Sequence, residues 1–157
     1  MESWEQIRVE FDGTAAIVTM IRPEKRNPLS LAMMRELIAA LHSLQHESRA
    51  VILAAEGPSF SSGHDLREMC GRTVSEIRTI FDTCTELMET IQKIPKPVIA
   101  EVQGVATAAG CQLVAACDLA VAVVPSEYGP SQGGWDGSGS SPVFERDTVC
   151  GVDGEFG

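Results

Sequence analysis

Phe60-Ser61-Ser62-Gly63-His64-Asp65-Leu66 and, further along, Gly104-Val105-Ala106-Thr107-Ala108-Ala109-Gly110-Cys111-Gln112 decide how this chain is read. Each stretch follows a strand-like run and crowds small residues where a loop turns into a helix. Glycine, alanine and serine leave the main chain uncovered there, and the first N–H groups of a helix have no partner within it. Two such loops facing one another form a clamp for an oxygen that becomes negative during a reaction.

Outward from these loops, strands and helices alternate. Ile7 to Phe11 alternates apolar and polar residues, Asp12-Gly13 signals a turn, and Ala15 to Met20 completes a hairpin. Arg22 to Leu29 is a loop with two prolines. Ser30 is placed to cap a helix in which Leu31, Met34, Leu37, Ile38, Leu41 and Leu44 recur at helical spacing. Val51 to Ala55 reads as a buried strand ended by Gly57-Pro58. Thr73 and Glu76 form a capping-box pattern ahead of a long helix through Ile77, Ile80, Phe81, Cys84, Leu87, Met88 and Ile91, stopped by Pro95 and Pro97. Val98 to Val102 is the next strand, Ala106 to Cys117 a small-residue helix, and Leu119 to Val124 a further strand. Near-continuous apolar strands separated by helices predict parallel pairing and an α/β fold.

The 157 residues suffice for one domain with a real core and are too few for two ordinary ones. The domain is expected over residues 1–124. Residues 125–157 carry eight of the chain's 14 glycines and little periodicity, and are expected to form a poorly ordered Gly/Ser-rich tail, with a linker or binding arm as the alternative. A formal charge of -10 argues against nucleic acid and anionic membranes as partners. Any anionic ligand needs a local basic patch, and Arg22, Lys25 and Arg26 make one. The N-terminus shows no targeting pattern, and the apolar stretch from Pro97 to Val124 is interrupted by Glu101, Gln103, Gln112 and Asp118, so no membrane span is expected. Five cysteines without a metal-type spacing read as reduced, buried spacers. His42 and His46 lie one helical turn apart with no third ligand in view, so no metal site is expected.

Four stretches resemble, in order and spacing, the crotonase (enoyl-CoA hydratase/isomerase) family. They are Arg22 to Ser30, Phe60 to Met69, Pro97 to Gly104, and Ala108 to Gln112 leading to Cys117-Asp118-Leu119-Ala120. The resemblance implies a spiral of ββα units, of which this chain holds the N-terminal part only, and a complete protein that assembles as homotrimers or hexamers. It implies an acyl-CoA thioester as substrate, fatty acid metabolism as the setting, and no cofactor beyond the coenzyme A of the substrate. The location implied is a bacterial cytoplasm or a mitochondrial matrix. The main-chain N–H groups of His64 and Ala109 would hold the thioester oxygen. Lys25, Arg26, Ser62, His64, Asp65, Leu66 and Arg67 would bind the coenzyme A portion.

The same resemblance places one of the two glutamates used for hydration at Gln112 and the other beyond Val124, where the chain leaves the pattern. Glutamine orients water or a carbonyl but is no base. Ordinary hydratase turnover is therefore not expected; a non-catalytic acyl-CoA-binding protein or an inactive truncated fragment are the alternatives. The His64 ring acts as a base, or simply packs while its N–H serves. Asp65 either takes part in chemistry or caps the turn Leu66 to Cys70. Arg67 reaches a phosphate, or pairs with Glu68 or Glu24. Glu101 is a buried acid or a strand-end residue reaching solvent.

Overall fold

The computed structural model describes residues 4–123. Among these residues seven strands and four α-helices follow one another as β1 (Ile7–Asp12), β2 (Ala15–Met20), α1 (Leu31–Leu44), β3 (Ala50–Ala55), β4 (Ser59–Ser61), α2 (Leu66–Met69), α3 (Val74–Lys93), β5 (Val98–Val102), β6 (Val105–Ala106), α4 (Ala109–Ala116) and β7 (Leu119–Ala122), with a 3-10 turn at Pro23–Lys25. A five-stranded sheet runs in the order β1-β2-β3-β5-β7, and β4 pairs with β6 in a separate two-stranded sheet. The β1–β2 hairpin is antiparallel and all other pairs are parallel. This is the α/β class expected from the apolar strands.

The repeat is visible in the pairing. β3 leads through β4 to α2 and α3, and β5 leads through β6 to α4. The first strands of the two units pair with each other, Ile52 opposite Ile99, and so do the second strands, Ser61 opposite Ala106. Two ββα units therefore stack along the chain, and the loop that follows β4 comes to lie against the loop that follows β6.

One face of the large sheet is packed. Ala16, Val18 and Met20 of β2, Val51 and Leu53 of β3, and Val98, Ala100 and Val102 of β5 are all buried, as a period of two dictates. Against this core lie Met33, Met34, Leu37 and Leu41 of α1 and Ile80, Cys84, Leu87 and Ile91 of α3, each set at helical spacing. The opposite face carries the row Glu10, Ile17, Ile52, Ile99 and Leu119, in register across all five strands. Leu119 at its end is about half exposed.

Both helix starts take the expected caps. The Ser30 hydroxyl accepts from the Met33 N–H, and Thr73 and Glu76 bond reciprocally. The expectation of a helix from Ala106 to Cys117 is corrected: Val105–Ala106 pairs with β4, and the helix starts only at Ala109. Short β4 and β6 were not legible as strands, because two or three residues show no periodicity. Of the cysteines, Cys84 and Cys117 are free and buried as expected. Cys70 is free but exposed, and Cys111 is disulfide-bonded, against the reading of five reduced spacers. The proposed tail lies outside the described residues. Among the described residues no helix is long and apolar enough to cross a membrane.

Candidate functional site

Three glycines let β4 and its flanks pack closely against β6, its flanks and the start of α4. A Cβ on Gly63 would lie 3.0 Å from the Ala108 Cβ and 3.1 Å from the Ala109 nitrogen. One on Gly110 would lie 2.6 Å from the Ser61 carbonyl oxygen, and one on Gly104 2.0 Å from that of Pro58. Gly63 also has φ +85, a backbone state that glycine adopts freely. The residues flanking His64 and Ala109 are thus in direct contact.

Hydrogen bonds fix which way each peptide faces. The Gly63 carbonyl accepts from the Leu29 N–H at 2.8 Å. In a planar trans peptide C=O and N–H point oppositely, so the His64 N–H is turned away from Leu29. At the second loop the Gly110 N–H donates to the Thr107 carbonyl at 2.8 Å, closing a turn in which Ala108 takes φ 50 and ψ -124. These are the angles of the first central residue of a type II′ turn, ordinarily glycine. The Ala108 carbonyl accepts from Cys111 and Gln112 inside the helix, so the Ala109 N–H points out of its N-terminus. Among the described residues neither the His64 nor the Ala109 N–H has an acceptor.

Two cavities meet at His64. One, of about 400 Å³, is lined by Glu24, Lys25, Arg26, Pro28, Ser62, His64, Asp65, Leu66 and Arg67. Every residue assigned by resemblance to coenzyme A lines it. Among the described residues Lys25, Arg26 and Arg67 have no ion-pair partner, so the alternative of an Arg67 pair with Glu68 or Glu24 does not form. The Glu68 carboxylate instead accepts from the Leu31 N–H at 2.9 Å. Asp65 caps α2, accepting from the Arg67 N–H at 3.0 Å. The Ser62 N–H is taken by the Arg26 carbonyl at 2.9 Å, so Ser62 offers no free main-chain donor.

The second cavity, of about 370 Å³, is lined by His64, Phe81, Cys84, Thr85, Met88, Ala108, Ala109 and Gln112. Phe81, Cys84, Thr85 and Met88 share one face of α3 at i, i+3, i+4 and i+7 spacing. The apolar stripe read from sequence is wider than the buried face, and its Phe81 edge, 48% exposed, forms the cavity wall. That width was the signal by which these residues were findable. Gln112 is exposed at this cavity. His42 and His46 form no metal cluster, as among the described residues none exists. Glu101 is exposed on β5, the strand-end alternative.

Asn27 anchors the basic loop. It is fully buried at φ 46, its Oδ1 accepts from the Arg22 N–H at 2.8 Å, and its Nδ2 donates to the carbonyls of Glu56 and Ser59. The Ser61 hydroxyl donates to the Asn27 carbonyl at 2.8 Å and accepts from the Gly63 N–H at 3.2 Å. These two polar residues, missed as site residues from sequence, couple the cation-bearing loop to the segment that presents the His64 N–H.

A family model described as enoyl-CoA hydratase/isomerase matches residues 10–146. The chain belongs to the enoyl-CoA hydratase/isomerase family. Among its relatives in this family is the mitochondrial enoyl-CoA hydratase domain-containing protein 3 of Rattus norvegicus, 48% identical over an alignment of 120 residues that covers 74% of this chain and 40% of that protein. A probable enoyl-CoA hydratase of Rhodobacter capsulatus is 37% identical over 126 residues, 80% of this chain and 49% of that one. The crystal structure of human enoyl-CoA hydratase domain-containing protein 3 superposes with a TM-score of 0.73 at 41% identity, covering 75% of this chain and 48% of the human one. The enoyl-CoA hydratase of Mycobacterium smegmatis gives the same TM-score at 45% identity, covering 75% and 48%. The chain thus spans less than half the length of these family members.

Proposed function

We propose that this chain binds acyl-CoA thioesters and holds the thioester oxygen between the main-chain N–H groups of His64 and Ala109. The observation that carries the reading is the pair of N–H groups, without acceptors among the described residues, on two touching loops set between a cation-bearing cavity and a largely apolar one. Lys25, Arg26 and Arg67 meet the phosphates of the nucleotide end, and Phe81, Cys84 and Met88 surround the acyl chain. As an α-proton leaves or a nucleophile adds at the β-carbon, charge builds on the thioester oxygen. Two rigid donors, one at a helix start, stabilise it there, and losing one such donor typically costs about two to three orders of magnitude in rate.

Gln112 sits at the acyl cavity and orients water or a substrate carbonyl. Its amide has no usable pKa, so it supplies no general base. That residue favours a second reading, acyl-CoA binding without hydration. The setting we propose is fatty acid metabolism in a mitochondrial matrix or a bacterial cytoplasm, consistent with mitochondrial and bacterial relatives.

Titration calorimetry with butyryl-CoA, run beside a crotonyl-CoA hydration assay, tests both. Binding with turnover supports an enzyme, and binding without turnover supports the second reading. Absence of heat at millimolar thioester would remove the two together.

A further inference from the structure

Resting on the acyl-thioester reading, we propose that the His64 side chain sets specificity, its Nε2–H meeting an oxygen acceptor on the acyl chain next to the thioester. The site then prefers acyl groups that carry such an oxygen to hydrocarbon groups of the same shape.

The His64 ring packs edge-on against Phe81, centroids 5.1 Å apart at 75°. Its Nδ1 is buried and, among the described residues, has no hydrogen-bond partner. A proton on Nδ1 would be a buried donor without an acceptor, which costs the desolvation of an N–H. Either tautomer leaves Nδ1 unpaired, but a buried N–H without an acceptor is the rarer state, so the ring proton is assigned to Nε2. Nε2 has no partner among the described residues either and is not among the buried orphan atoms, so it stays open to an incoming group.

The position of that donor gives the chemistry. The ring packs on Phe81, a wall of the second cavity and not of the first, so it lies on the acyl side of the main-chain N–H that meets the thioester oxygen. Within the same cavity Thr85 has its hydroxyl proton committed to the Phe81 carbonyl at 3.1 Å, while Phe81, Cys84 and Met88 are apolar or nearly so. Gln112, at an exposed position, is the other side-chain donor. A hydrocarbon acyl chain offers Nε2–H no acceptor, whereas a β-oxygen would pair it.

The test compares three thioesters that share one branched acyl shape: isovaleryl-CoA, acetoacetyl-CoA with a neutral β-oxygen, and malonyl-CoA with an anionic one. In calorimetry the native chain is expected to bind acetoacetyl-CoA about two- to tenfold tighter than isovaleryl-CoA, the range of one hydrogen bond. Malonyl-CoA binding at least as tightly as acetoacetyl-CoA extends the class to carboxylates, and weaker binding confines it to neutral acceptors. His64→Phe keeps the main-chain N–H and the packing on Phe81, and should bring the acetoacetyl-to-isovaleryl ratio to about one. His64→Met reads the same ratio if the phenylalanine variant does not fold. Equal affinities in the native chain, or a ratio that survives both substitutions, would overturn the proposal while leaving thioester binding intact. Failure of all three thioesters to bind overturns the parent reading with it.

Discussion

Replacing Gly63 by alanine adds one methyl group where the two loops touch, and the consequences are calculable. At φ +85 an L-residue is strained by about 1–2 kcal/mol. The new Cβ would also stand 3.0 Å from the Ala108 Cβ and 3.1 Å from both the Ala109 nitrogen and the Thr107 oxygen. Relief requires the second loop to retreat by a few tenths of an ångström, with an overpacking cost of about 1–3 kcal/mol. The total is roughly 2–5 kcal/mol, a large share of what a small domain has. The retreat also carries the Ala109 N–H away from the His64 N–H. Gly13→Ala is the control, because Gly13 has φ +59 with nothing within 4 Å of an added Cβ. It should show the strain alone. Urea denaturation and butyryl-CoA calorimetry on both variants separate the effects. Gly63→Ala should lose the larger stability and at least tenfold in affinity, while Gly13→Ala keeps its affinity. If the two variants matched in stability and both bound normally, the contact between the loops would not exist as described.

Other consequences follow from the same geometry. Ala108→Gly removes the strain of φ 50, ψ -124 at a small cost in backbone entropy, and should raise stability by about 0.5–2 kcal/mol in urea melts. Asn27→Ala strands the partly buried Arg22 N–H and two carbonyls, and should cost about 2–4 kcal/mol and weaken thioester binding through the basic loop. Glu76 is held below its ordinary carboxylate value, chiefly by the Thr73 N–H and then by the Thr73 hydroxyl and Arg72. Its folded value being the lower, its stabilisation is complete above about pH 4.5 and lost as pH falls through that lowered value; Glu76→Gln should lack this acid-side component in pH-dependent melts. Burial pushes the Cys117 thiol up to about 12, so iodoacetamide at pH 8 should alkylate exposed Cys70 in the native chain and spare Cys117, as peptide mass mapping would read.

Local sequence determined a good deal of this protein. The hairpin at Gly13, the caps at Ser30 and Thr73, the α1 and α3 stripes and the apolar strands β2, β3 and β5 are set by neighbours within a few residues, and such signals survive in one dimension. The small-residue loops around Gly63 and Gly110 were likewise visible as places where main chain stands uncovered. Tertiary structure alone decided what those loops do to each other. β4 and β6 are too short to announce themselves, yet their pairing brings Gly63 against Ala109, crowds any β-carbon at Gly63 and leaves no room for one at Gly104 or Gly110. Only the fold aims the His64 N–H, through a bond its preceding carbonyl makes to Leu29, and only the fold leaves the ring's Nδ1 buried beside Phe81. The physical reason is that a peptide's direction and a ring's solvation depend on partners remote in the chain, whereas periodicity and capping depend on residues next door.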